Sequence, residues 1–330
     1  MRSSLTALCR DFEENREVIR KVFRWESPYI YPVCAAVFTD RRRRADEEQL
    51  RRCIDLLNEE VGIFSNFRGT SRAAVISLLC AGGNEEIRLK RMLEVYDLFK
   101  NYFFTSQYLP LTSAIVADMV PQQRYAEAAA RTRTIYDLMK QEHPFLTAEE
   151  DSVFAALLAL SPAEDEEIIS WTERCYELLQ EEFRPGNAVQ SLSHALALAE
   201  GSPEEKCERT ISLYRELKER GLRYGTGYEL ATLGVLSQLP ADRETVADDV
   251  AETDQLLENI KGYGIFGMGK KQRLMHAAML VTSDYLGKDF GMTMNSAAAG
   301  SVISLVAAQQ AALCAAVAAT SIAVASSASS

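Results

Sequence analysis

A repeat of about forty residues is the feature that most constrains what this chain can fold into. Segments beginning IDLL at Ile54, YDLF at Tyr96, YDLM at Tyr136, YELL at Tyr176, YREL at Tyr214 and TDQL at Thr253 recur at intervals of 42, 40, 40, 38 and 39 residues. A second, shorter and more apolar set alternates with them: AAVF at Ala35, SLLC at Ser77, VADM at Val116, ALLA at Ala156, ALAL at Ala195, GVLS at Gly234 and AAML at Ala277, at intervals of 42, 39, 40, 39, 39 and 43. Two registers with one period mark a repeat architecture, in which each unit buries its apolar face only against its neighbours.

Each unit reads as a helical hairpin. In RMLEVYDLFKNYFF, Met92, Val95, Leu98 and Phe99 recur at helical spacing with charges between them, the pattern of an amphipathic helix. Its partner, as in SVFAALLAL, is apolar nearly all round and must be covered on more than one side. SPAE at Ser161–Glu164 and SPEE at Ser202–Glu205 both read as Ser N-caps with Pro at the first helical position. No alternating β-branched run is present. The prediction is an all-α chain: an α-α superhelix, or solenoid, of about seven hairpins, HEAT-like or armadillo-like. A closed α/α toroid is the alternative, which periodicity cannot separate from it. The repeat domain is expected over residues 1–290, with a first helix from about Leu5 to Phe23, and an Ala/Ser-rich capping helix with a frayed tail over residues 291–330.

Charge narrows the function classes. With 36 Lys+Arg against 47 Asp+Glu the formal charge is -11, and duplex nucleic acid, which needs clustered cations, is not an expected partner. The run Arg41–Arg44 is followed by Asp46, Glu47 and Glu48 and reads as a solvated helix start. The N-terminal segment carries Arg10, Asp11, Glu13 and Glu14 where a secretory signal needs an apolar core, so a cytoplasmic protein is expected. Seven scattered cysteines, with no C-x-x-C pair, suit reduced and mostly buried thiols.

One stretch looks chemical. In KGYGIFGMGKKQR, Gly262, Gly264 and Gly267 fit G-x-G-x-x-G, and Gly264, Gly269 and Lys270 approach a phosphate-binding loop. Both motifs require a preceding strand; DQLLENI is helical, and Lys271 stands where a hydroxyl would bind Mg2+. The loop is read as a long-to-short helix turn, like FSNFRGTSR, FRPGNAVQ and LRYGTGYE. Cations gather on these turns: Arg68, Arg72, Arg184, Arg223, Lys270, Lys271 and Arg273 form a candidate basic rim for an anionic ligand or partner. The opposite turns are acidic, with Glu164–Glu167, Glu204, Glu205, Asp248 and Asp249. His194 and His276 share a register two repeats apart, too far to share a metal, and His143 has no ligand neighbour at metal-binding spacing; all three are read as histidines satisfied by the fold. The tyrosines of the long helices are read as packing residues. No catalytic residue, cofactor or metal is expected.

The uncharged C-terminal stretch has a stripe of Val302, Val306, Leu313, Val317 and Val324, interrupted by Gln309 and Gln310 and lacking aromatic or basic anchors. A packed terminal helix is expected, with a membrane anchor and an oligomeric contact as the lesser alternatives.

The order FRWESPYIYPVCAAVFTD, FSNFRGTSRAAVISLLC, YGIFGMGKKQRLMHAAMLV resembles the bacterial family called domain of unknown function 4003, along nearly the full chain. The resemblance implies no activity, so function rests on the architecture. A non-catalytic scaffold binding a protein or peptide partner is the leading expectation. An enzyme or sensor holding a phosphorylated or other anionic small molecule at the basic rim, and a membrane-associated scaffold using the C-terminal helix, are the alternatives.

Overall fold

The computed structural model describes residues 2–263 and 267–286, and among them the regular structure is helical, with no strand. Seven helices belong to the amphipathic register: α1 (Ser3–Val22), α3 (Glu47–Glu60), α5 (Glu85–Phe99), α7 (Tyr125–Glu142), α9 (Asp165–Leu179), α11 (Pro203–Glu219) and α13 (Arg243–Glu258). The apolar register supplies α2 (Ile30–Asp40), α4 (Arg72–Gly82), α6 (Leu109–Met119), α8 (Ser152–Ala159), α10 (Asn187–Ala197), α12 (Leu230–Ser237) and α14 (Lys270–Leu286). Amphipathic α3 buries only Leu50, Cys53 and Leu57, whereas every residue of α8 is buried.

Helices pack in two series. Each amphipathic helix lies against the next amphipathic one, and each apolar helix against the next apolar one. The last hairpin also meets the first: α14 packs on α2 and α1, and α13 on α1. Polar bonds mark this junction. Arg2 Nη2 lies 2.7 Å from Asp249 Oδ2 and 3.2 Å from Asp284 Oδ2. Arg16 donates to Lys261 O (2.6 Å), Arg42 to Ser283 O (2.6 Å), and Ser283 Oγ to Asp40 Oδ1 (2.7 Å).

Turns following the amphipathic helices touch their successors along one edge. Ser71 Oγ donates to Gln107 O (2.7 Å), Gln190 Nε2 to Thr147 Oγ1 (2.9 Å) and Lys270 Nζ to Gly221 O (3.4 Å). The opposite edge is held differently. There cations reach the C-terminal carbonyls of the apolar helices, where the helix dipole is negative: Arg43 to Ala81 O (3.0 Å), Arg131 to Ala159 O (2.9 Å) and Ser161 O (2.6 Å), and buried Lys206 to Ala199 O (3.0 Å). The run Arg41–Arg44 leads into α3 with Arg42, Arg43 and Arg44 exposed, as a solvated helix start requires, but its side chains also make specific bonds. Arg41 bonds Leu78 O (3.2 Å) and pairs with Asp118 (2.9 Å), Arg42 and Arg43 also take main-chain carbonyls, and Arg44 pairs with Asp11 and Glu14.

Of the two expected Ser-Pro caps, one forms. Ser202 and Glu205 make a reciprocal capping box with Pro203 at the helix start. The other does not: α9 starts at Asp165 with Glu164 at its N-cap, and Arg131 holds the carbonyls of Ser161 and Ala163 in the bend before it. The six described cysteines are free and buried. The expected capping helix and Cys314 lie outside the described residues. No helix among those described is long and apolar enough to cross a membrane.

Candidate functional site

Tyr96, Tyr136, Tyr176 and Tyr214 each meet a ring from the preceding hairpin's turn, as packing residues should: Phe67 at 5.0 Å between centroids, Phe103 at 5.3 Å, His143 at 4.5 Å and Phe183 at 4.9 Å. Three of these four turn rings are phenylalanine. The fourth, His143, adds an ionisable group, and its Nε2 lies 2.9 Å from Glu173 Oε2 on α9. Burial raises the Glu173 carboxyl above its ordinary range, against the pull of His143. Beneath this pair, Gln190 bonds Thr147, whose hydroxyl donates to Met139 O (3.1 Å). One helical turn further along α10, fully buried His194 packs on Phe154, and desolvation, with His143 nearby, pushes its imidazole down to about 3.

A partly buried histidine and carboxylate can move a proton. The Thr147 hydroxyl is committed to the main chain and to Gln190, so it is not poised as a nucleophile. His276 is likewise engaged by the fold, its Nδ1 2.8 Å from the Tyr263 hydroxyl. Among the described residues no three His, Cys, Asp or Glu side chains gather as a metal site.

The seven candidate rim cations separate into two kinds. Arg273 is buried and bound to Asp254 (2.7 and 3.0 Å) and Glu258 (2.9 Å), and Arg68 donates to Asn58 O (2.7 Å) and Val61 O (3.1 Å), closing the end of α3. Both serve the fold. Arg72 is half-buried at the start of α4, whereas Arg184, Arg223, Lys270 and Lys271 are exposed.

The glycine-rich loop follows a helix, α13, and its described part meets the first hairpin. Gly262 has φ +99°, and a Cβ there would collide with the Arg16 guanidinium, which bonds the neighbouring Lys261 O and sits 5.2 Å over the Tyr263 ring. The loop backbone is therefore occupied by an internal arginine; Gly264 lies outside the described residues.

Two features were not singled out from the sequence. Trp25, Phe64, Phe104 and Phe145 project from four successive turns at 87, 95, 95 and 98 % exposure. Their spacings of 39, 40 and 41 residues repeat the period, a signal that reading aromatics only as packing residues passes over. The turns of the fifth and sixth hairpins carry no such exposed aromatic: Phe183, the counterpart of Phe67 and Phe103, and Tyr224 are buried. The second feature is a groove of about 630 Å³ on the opposite edge, between α11 and the α12–α13 turn. Leu213, Leu239 and Val246 line its apolar part, and Glu208, Arg209 and Arg243 its charged part.

Residues 15–311 match the family described as Protein of unknown function (DUF4003). The chain belongs to this family. A relative from Bacillus subtilis (strain 168), "Uncharacterized protein YeaA", is 23% identical over 295 residues, which cover 87% of this chain and 86% of that one. No solved structure matches. The DUF4003 match takes in both edges of this chain: the aromatic tips from Trp25 onward, the exposed cations and the groove all fall within its bounds.

Proposed function

We propose that the chain is a non-catalytic helical-repeat scaffold, a closed ring of seven hairpins, that holds a protein or peptide partner. The observation that carries the binding role is the groove beside α11, apolar at Leu213, Leu239 and Val246 and of mixed charge at Glu208, Arg209 and Arg243. Such a groove suits a few side chains of a peptide, with the charges setting direction. Closure is supported by the packing of α14 on α1 and α2, and by the bonds that join Arg2, Arg16 and Arg42 to the last hairpin. An open solenoid would hold these helices at opposite ends.

A random peptide library displayed on phage tests the reading. Peptides selected on the wild-type chain should lose binding by roughly tenfold or more to Ala241→Trp, which fills the groove, and to Arg209→Glu. Equal binding by the variants would remove the groove. Thermal stabilisation by a nucleotide or sugar phosphate, lost on changing Arg223, Lys270 and Lys271 to Ser, would favour the sensor instead.

A further inference from the structure

We propose that the edge opposite the groove docks on an anionic lipid bilayer, with Trp25, Phe64, Phe104 and Phe145 entering the interface. Single exposed aromatics are ordinary on protein surfaces. Four on one edge, each at least 87 % exposed and one per repeat, are not scatter. Ile63, 72 % exposed, extends the second tip. With packed helices about 8 to 10 Å apart, the row spans roughly 30 Å.

The choice of occupant follows from shape and charge. A side chain exposed by 95 % has almost no wall beside it, so a folded partner would have to supply a separate pocket for each tip. A fluid interface takes separate tips without matching hollows, and aromatic rings favour that depth. Exposed cations share the edge: Arg24 over the Trp25 ring (4.9 Å), then Arg184, Arg223, Lys261, Lys270 and Lys271. The acid blocks Glu164–Glu167 and Glu204–Glu205 sit on the other edge, facing away from the bilayer in this orientation. Glu59, Glu60, Glu142 and Glu149 lie among the aromatic tips and Glu181 and Glu258 among the cations, of which Glu258 is paired with Arg273, so net attraction to headgroups rests on Arg223, Lys261, Lys270 and Lys271 and insertion on the first four hairpins. No spanning helix is needed, and the inference does not depend on the groove.

The test is cosedimentation of the full chain with vesicles of phosphatidylcholine alone and of phosphatidylcholine mixed with phosphatidylserine. Binding is expected to the mixed vesicles, weakening with salt, and bromine-labelled acyl chains should quench Trp25 in a Trp171→Phe background. Each tip changed to Ser should weaken binding by roughly tenfold. All four together should abolish it with the circular dichroism spectrum unchanged. Changing Arg184, Arg223, Lys270 and Lys271 to Ser should remove the salt dependence and leave a weak residual. Three results would overturn the proposal: no vesicle binding; binding that survives the fourfold tip variant but is lost on removing residues 291–330; or a tip-dependent dimer that ignores vesicles.

Discussion

His194 and Asp151 lie in adjacent repeats and oppose each other in pH. Burial pushes the His194 imidazole down to about 3, so between that value and about 6.5 the unfolded chain binds a proton that the native one refuses, and stability falls as pH falls through this window. Asp151, whose carboxylate accepts from Ala148 N (2.8 Å), is pushed up to about 7 by burial. There the native state keeps the proton, so stability falls as pH rises from about 4 towards 7. Asp151→Asn should raise the melting temperature at about pH 8 relative to wild type by more than at about pH 4, and His194→Leu should flatten the acid limb. A series of thermal melts checks both; equal shifts at the two pH values would contradict the Asp151 account. That His194 is a core residue is legible in SHALALA, where its neighbours in register are apolar. The pairing of His143 is not, since Glu173 lies a helix away, and only the comparison of turn rings across repeats marks His143 as different.

At the scale of the helix, the two Ser-Pro motifs look equivalent in sequence yet behave differently. Ser202 caps α11, and Ser202→Ala should cost about 1 kcal/mol. Ser161→Ala should cost less than half as much in urea unfolding, because α9 starts four residues later. The distinguishing residue is Arg131, which comes from the neighbouring α7 and pairs with Asp165 at 2.8 Å. Local capping chemistry was readable and the tertiary clamp was not, for the arginine is 30 residues before the serine it restrains. The same limit explains the basic rim: Arg68 and Arg273 look like surface cations until the carbonyls of α3 and the carboxylate of Asp254 are brought to them.

For the whole molecule, periodicity discloses the hairpins but not how the two ends relate. The junction between first and last hairpins rests on individual contacts such as Arg2 with Asp249 and Arg42 with Ser283, more than 240 residues apart. Hydrogen exchange reads the consequence. Arg16→Ala, which releases Lys261 O, should speed exchange in both α1 and α14 while α6 and α8 stay protected. Faster exchange confined to α1 would mean that the two ends open independently, against the ring.

A junction of this kind also restricts how such a chain can evolve. Stacked repeats ordinarily lengthen or shorten by duplicating or losing a unit, since each touches only its neighbours. In the ring proposed above, an eighth hairpin would push Arg2 away from Asp249, and a six-hairpin version would bring it to a different helix. Such a ring leaves variation to the tips and grooves of its units and fixes their number by the need for the last to reach the first.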